Sequence, residues 1–281
     1  MSKFSILSWN IEHFREPAKK TPSTIKSYKE RVARIVAQLK KLDADVMALY
    51  EIEGSEAFQN LKDDFPGYQF HITEGPQVQE ILIAVRGGVN AFFTQKVEFK
   101  SGGTHLRPGA LLTITKGGKE FPILFLHTKS GNDPKGFGLR DDMLTRALEF
   151  KKVLDAAAKK GGSNELANYL FLGDLNTMGM KYPYQKDISG VLEITHLQKR
   201  TARFKMKPLT KSHPETWSNG SKSSIPDSNL DHVVAADHLT FKNFSGSEVQ
   251  LIGWPEKTTP TEKDKWISEY SDHAILYLEV M

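Results

Sequence analysis

The sequence predicts an α/β (α+β) fold in which two mixed β-sheets pack face to face with helices outside them. Three observations predict it. Tyr169-Leu170-Phe171-Leu172 is a run of bulky apolar residues stopped by Gly173, which reads as a strand buried on both faces. Apolar runs over residues 110–115 and 121–127 flank Gly117-Gly118, a hairpin signal that makes the sheet mixed instead of purely parallel. Helical-period segments lie between short strands, and such a mixture is built in layers around one core.

Taken in order, residues 4–10 form the first strand, and Asn10-Ile11-Glu12-His13 starts a polar loop. Over residues 27–42 the apolar positions Val32, Ile35, Val36, Leu39 and Leu42 have helical spacing, with Lys and Arg between them. A second strand covers 45–50 and ends at Glu51; a short helix over 55–65 is stopped by Pro66-Gly67. Strands follow at 68–72, 81–85 and 90–99, then the hairpin. The longest helical pattern runs over 139–160, with Met143, Leu144, Ala147, Leu148 and Leu154 along one side and Gly161-Gly162 as its end. The stretch 178–229 is polar and proline-punctuated, and reads as loops with one short helix near 188–198. Short strands are expected at 233–236, 241–244 and 249–252, a charged loop over 254–270, and a last strand over 274–280.

Composition sets bounds. The chain has 281 residues, 39% apolar and 26% charged, which is that of a globular protein, and it is read as one domain over 1–281. The net charge of +4 is compatible with an anionic substrate without demanding one. The chain has no cysteine, which excludes disulfides, a thiolate nucleophile and Cys-ligated zinc. No apolar run has the length of a membrane span, and the N-terminus runs straight into the first strand, so a cytoplasmic monomer without an obligate protein partner is expected; export stays open if the chain is a trimmed precursor.

Polar residues of ligand and acid/base type recur at strand ends: Asn10, Glu51, His127, Asp174 with Asn176, Asp231, and Asp272-His273. Asp174 and Asn176 are two apart, so in extended chain they point the same way. Each alone also suits a turn. In this order the set resembles the endonuclease/exonuclease/phosphatase superfamily, with its deoxyribonuclease I-like fold, from Trp9-Asn10 to Ser271-Asp272-His273.

The resemblance implies a four-layer αββα sandwich and a Mg²⁺- or Mn²⁺-dependent phosphoesterase, most like a deoxyribonuclease I-like nuclease acting on nucleic acid. Glu51 then holds the cation, with Asn10 beside it and Asp272 near it; Mg²⁺ takes hard oxygen ligands and keeps several waters. Asp174 activates the water and Asn176 steadies it. Asp231 accepts a hydrogen bond from His273 and fixes its tautomer. Arg107, Asn176 and His273 hold phosphate oxygens, and His127 aids the leaving oxygen. Glu80, with Gln79 as rival, is the candidate to orient His127. Abasic-site enzymes of the family carry Lys two residues beyond the metal Glu; here Glu53 stands there, which argues against that branch. A phosphodiesterase or phosphatase on a phospholipid or small molecule is the alternative. The basic residues Lys199, Arg200, Arg203, Lys205, Lys207 and Lys211 surround Phe204, a pattern that suits a phosphate backbone or simply a solvated loop. Arg140 is a further phosphate candidate. Trp254, Trp266 and Tyr270 are noted for a lipid face.

Overall fold

The computed structural model describes residues 3–161 and 166–281, so Gly162 lies outside the described residues. In chain order the elements are β1 (Phe4–Phe14), α1 (Pro22–Leu42), β2 (Val46–Ile52), α2 (Ser55–Asp64), β3 (Tyr68–Ile72), β4 (Glu80–Arg86), β5 (Asn90–Lys96), β6 (Gly109–Lys116), β7 (Lys119–His127), α3 (Pro134–Lys160), β8 (Leu170–Asp174), α4 (Gly190–Arg203), β9 (Met206–Pro208), β10 (Asp231–Ala236), β11 (Gln250–Ile252), α5 (Pro260–Glu269) and β12 (Ile275–Val280). Among the described residues the strands form two six-stranded sheets, ordered β11-β12-β1-β2-β4-β3 and β5-β6-β7-β8-β10-β9. Both are mixed, and the five helices flank them, as the sequence predicts.

The alternation of side chains along β8 explains the layering. Leu170 and Leu172 join the core between the sheets, with Ile6, Tyr50 and Ile83 of the facing sheet. Tyr169 and Phe171 point the other way, into a second cluster with Leu144, Ala147 and Leu148 of α3. A strand covered on both faces must be apolar throughout, and the run before Gly173 is. Α1 buries Val32, Ile35, Val36 and Leu39, the stripe its spacing predicts, and it starts earlier than residue 27 because Thr21 caps it with Pro22 in its first turn. Gly117 and Gly118 both take positive φ in the β6–β7 hairpin, as a tight turn there requires.

Several expectations need correction. The polar loop after Asn10 is instead a bulge: Glu12 and His13 take left-handed φ values of 42° and 43°, and β1 resumes to pair Phe14 with Ile52. Buried Ile11 and Phe14 hold it in the sheet. The expected charged loop over 254–270 contains α5, started by a capping box in which Thr259 and Glu262 bond reciprocally. Residues 241–244 make isolated bridges and no strand. The strand over 90–99 ends at Lys96 and turns into a 3₁₀ helix.

Topology puts the strand ends where a site can form. Β1 and β2 are parallel, as are β7 and β8, so Asn10, Glu51, His127 and Asp174 end these pairs on one rim. Β10 is antiparallel to β8 with Asp231 opposite Asp174, so a residue that begins β10 meets one that ends β8. Β12 is antiparallel to β1, and His273, just before it, comes back to the same rim.

Candidate active site

A cavity of about 800 Å³ opens on that rim between the sheets. It is lined by Glu51, Arg107, His127, Asp174, Asn176, Asp272 and His273, seven of the nine residues expected to form the site. The remaining two, Asn10 and Asp231, stand behind its wall in contact with these.

Gly173 allows the sheets to meet here. Its φ is +135°, and a Cβ on it would lie 2.1 Å from the Leu126 carbonyl oxygen and 2.6 Å from the Tyr50 hydroxyl. Asp174 follows at once and is buried. Its Oδ1 accepts the Asn176 N–H at 3.0 Å, and its Oδ2 accepts from Asn10 Nδ2 at 3.0 Å. Asn176, at φ 49°, and Glu51, at φ 65°, are left-handed residues without being glycine, a conformation that the surroundings must enforce.

The Asn10 carboxamide also donates to Glu51 Oε1 at 3.1 Å, so it ties the carboxylates of the two sheets together. Both neighbours accept, so the nitrogen must face them, and the oxygen accepts the Glu12 N–H at 3.0 Å. Asn10 therefore orients Glu51 and Asp174. Glu51 Oε2 accepts from Gln79 Nε2 and the His13 N–H, both at 2.9 Å.

His273 Nδ1 lies 2.9 Å from Asp231 Oδ2, and its Nε2 lies 3.9 Å from Asp174 Oδ2. Burial alone would lower the imidazole, but the Asp231 and Asp174 charges outweigh it and hold the group well above its ordinary value. Burial pushes the Asp174 carboxyl up to about 7; His273 opposes this and Asp231 adds to it. His127 is the converse. Burial, then Arg107, His273 and His13, holds it well below its ordinary value, so it is neutral. Its Nε2 lies 3.4 Å from Asp174 Oδ2, and its buried Nδ1 has no hydrogen-bond partner among the described residues.

Glu80 does not orient His127, and neither does Gln79. Glu80 Oε2 is taken by Thr73 Oγ1 at 2.5 Å and Gln77 Nε2 at 2.8 Å, while Gln79 serves Glu51 and His13. Glu53 pairs with Arg15 at 2.9 Å and His13 at 3.0 Å and faces away from the cavity lining. Arg107 makes no hydrogen bond or ion pair among the described residues; burial lowers its pKa, against the pull of Glu51 and Asp174. Arg140 is instead structural. Fully buried, it pairs with Glu193 at 2.7 Å and donates to the carbonyls of Lys129, Gly131 and Gly179.

The basic run is dispersed rather than gathered into one face. Its first residues end α4, Lys207 pairs with Glu248, and Lys211 is drawn inward, donating to Asn229 and to the Asp231 carbonyl. Phe204 packs against the α3-side core. Trp254 and Trp266 are buried, and Trp266 stacks on Tyr270 at 4.0 Å, so they form no lipid face.

Two cavity residues carry no strand-end signal. Trp217 Nε1 donates to Asp272 Oδ2 at 2.6 Å and so aims that carboxylate. Glu12 also lines the cavity, and its carboxyl is pushed up by burial and then by Asp272. The carboxylates of Glu12, Glu51 and Asp272 line the cavity and offer the hard oxygen donors that a divalent cation takes, but they are not a group with ligand atoms within 4.8 Å of one another among the described residues. Asp174, Asp231 and His273 do have ligand-type atoms within 4.8 Å of one another. That group is compact enough to share a cation, and the 2.9 Å contact between His273 Nδ1 and Asp231 Oδ2 within it suits proton handling as well.

Comparisons with known proteins agree with this geometry. No curated protein matches the chain in sequence. TDP2 from D. rerio, solved with a single-strand DNA product, aligns at 17% identity over 99% of this chain and 98% of that chain, with a TM-score of 0.66. C. elegans TDP2 aligns at 15% identity over 99% and 75%, with a TM-score of 0.63. A mannosyl-6-phosphatase from Bacteroides thetaiotaomicron aligns at 14% identity over 99% of each chain, with a TM-score of 0.57. These likenesses establish the fold. Residues 7–273 match the model of the endonuclease/exonuclease/phosphatase family, and the chain belongs to that family.

Proposed function

We propose that the protein is a Mg²⁺- or Mn²⁺-dependent phosphodiesterase that hydrolyses P–O bonds of nucleic acid by in-line attack of an activated water. One observation carries the reading: a guanidinium that is unpaired among the described residues, Arg107, faces the same cavity as a carboxyl poised near neutrality, Asp174, and an imidazole held well above its ordinary value, His273. A planar fork of donors beside an acid/base pair suits a phosphate ester.

Asp174 takes the proton of the attacking water, and Asn176 holds that water in line. Asp231 keeps His273 protonated and fixed in one tautomer, so its Nε2–H donates to a phosphate oxygen. Arg107 binds a second oxygen. His127 is neutral in the free enzyme; the charge of a bound phosphate draws its pKa back up, which suits a group that gives a proton to the leaving oxygen. Glu51 and Asp272, with Glu12 close by, would hold the divalent ion, and Asn10, Gln79 and Trp217 aim the first two. Such an ion, when bound, neutralises charge on the phosphate.

The test is turnover of plasmid DNA, RNA, a sphingomyelin analogue and bis-p-nitrophenyl phosphate, each with Mg²⁺, Mn²⁺ or chelator. Nucleic-acid cleavage that needs the metal is expected, with KM rising steeply with salt. Asp174→Ala should lower kcat by about 10²–10⁴-fold or more while the protein stays folded. Near-wild-type turnover of Asp174→Ala overturns the assignment. Cleavage of the lipid analogue alone transfers the site to a smaller substrate.

A further inference from the structure

Tyr184 is the most exposed large apolar side chain of the protein among the described residues, at 86%, and Tyr182 is 36% exposed. Their rings meet edge to face at 6.0 Å. Two exposed tyrosines in contact are costly to leave in water without a partner. They sit on a loop whose neighbour Lys181 lines the cavity.

The loop is held stiffly. Met180 and Ile188 exchange backbone hydrogen bonds at 2.8 and 2.9 Å and close its base. Asp187 Oδ1 accepts the Tyr182 N–H at 3.0 Å, and the Lys181 N–H donates to the Asn132 carbonyl at 2.6 Å. Gly179, just before the loop, is gripped by the buried pair Arg140–Glu193, which takes both its N–H and its carbonyl. An aromatic pair on such a mount loses little entropy when a ligand settles on it.

The charge around the pair is positive. Lys181 and Lys186 are exposed beside it, and Lys135 is exposed on the segment to which Lys181 is tied. The nearby acids are already engaged: Asp187 bonds the Tyr182 N–H, and Asp133 caps α3 through the N–H groups of Lys135 and Gly136.

We propose that residues 180–188 form a stacking platform for unpaired bases of a single-stranded nucleic acid whose phosphodiester lies in the cavity. The inference rests on the reading of that cavity as a phosphodiester site. Stacking needs a base face free of its neighbours, which a duplex does not offer outside its ends, and lysines beside the rings suit the flanking phosphates. The platform therefore makes the enzyme prefer single strands and frayed ends.

The test measures binding and turnover separately. Anisotropy of short fluorescent oligonucleotides, single-stranded and duplex, is followed for wild type, Tyr182→Ala, Tyr184→Ala and Tyr184→Phe, alongside turnover of bis-p-nitrophenyl phosphate. Tyr184→Ala should weaken single-strand binding about 10-fold, Tyr184→Phe less than about twofold, and duplex binding should move little. Turnover of the small substrate should not change, since neither tyrosine lines the cavity. Single-strand affinity unchanged within about twofold in Tyr184→Ala overturns the platform. So does loss of binding to phosphatidylserine vesicles in that variant with oligonucleotide affinity intact, which would place the loop at a lipid surface. Tyrosine-dependent oligonucleotide binding without turnover of any phosphodiester by wild type would sink the catalytic reading and leave the platform standing.

Discussion

Replacing Gly173 by alanine tests whether the close approach of the two sheets is what forms the site. The added Cβ would stand 2.1 Å from the Leu126 carbonyl oxygen, a backbone atom held in β7 beside β8, and 2.6 Å from the Tyr50 hydroxyl of the opposite sheet. Neither neighbour can yield cheaply. Tyr50 is fully buried and its hydroxyl lies 3.0 Å from Ser8 Oγ. Overpacking of a core costs about 1–3 kcal/mol. The φ of +135° adds about 1–3 kcal/mol for any residue with a side chain. A loss of about 2–6 kcal/mol is therefore expected by urea unfolding. Gly118→Ala is the control: its φ is +71° and its Cβ would meet nothing, so only the backbone cost applies, about 1–2 kcal/mol. Adding Tyr50→Phe to Gly173→Ala removes the hydroxyl contact but leaves the ring carbon Cζ 2.9 Å from the added Cβ and the Leu126 carbonyl oxygen in place, so it should restore only a small part of the loss. Any displacement of β8 moves Asp174, so kcat should fall even where the variant is folded. A Gly173→Ala protein within about 1 kcal/mol of wild type, with unchanged kcat, would show that the sheets do not need this approach.

Asp231→Asn keeps the shape but removes the charge that holds the His273 proton; kcat should drop by about 10²–10⁴-fold, and the limb of the pH–rate profile that reports this imidazole should move to lower pH. Arg140→Met leaves the buried Glu193 carboxylate unpaired and should cost about 3–5 kcal/mol in urea unfolding, with the 129–131 segment and Gly179 losing amide-exchange protection. Lys211 is lowered by burial to about 7 from its ordinary 10.5, so above pH 7 the unfolded chain binds more protons at this lysine than the folded one. Its contribution to stability then rises with pH through that window. The stability of wild type relative to Lys211→Met should increase by about 3 kcal/mol between about pH 7 and 9.5, and a flat difference refutes the buried ammonium.

The strand-end residues were legible because two rules act together. A polar residue that closes an apolar strand stands out against period-two burial, and parallel neighbours bring such ends to one rim. That is how Glu51, His127 and Asp174 could be read together, and how Asp231, which heads β10, and His273, just ahead of β12, could join them from strands running the other way. Contacts that depend on loop paths were not legible. Trp217 reaches Asp272 across 55 residues from a loop with no period, and Gln79 reaches Glu51 by the register of β4, not by its own pattern. Composition alone left two readings open at Lys199–Lys211; in the structure the run ends α4, pairs Arg200 with Asp141 and Lys207 with Glu248, and buries Lys211. A signal at Thr259-Pro260-Thr261-Glu262 was available and would have found α5.

Charge across the rim constrains what the cavity can admit. Glu12, Glu51, Asp174 and Asp272 line it, and Asp231 stands directly behind His273. Facing them are Arg107, His273 and the partly buried Arg31, whose guanidinium is spent on the carbonyls of Ile11, Glu12 and Tyr270. Burial holds the Asp174 carboxyl near 7, so partial protonation there relieves part of the repulsion at neutral pH. A phosphodiester brings another negative charge into this space. Arg107, His273 and Lys181 would have to serve both the resident carboxylates and the phosphate, in a partly desolvated cavity where each uncompensated charge is expensive. On the proposed reading, a divalent cation held by Glu51 and Asp272 would resolve the conflict, because it would satisfy the carboxylates and leave Arg107 free for the phosphate. The absence of any hydrogen bond to Arg107 among the described residues is what such an arrangement requires: a guanidinium held within reach of carboxylates and yet not paired with them is reserved for an anion that arrives later.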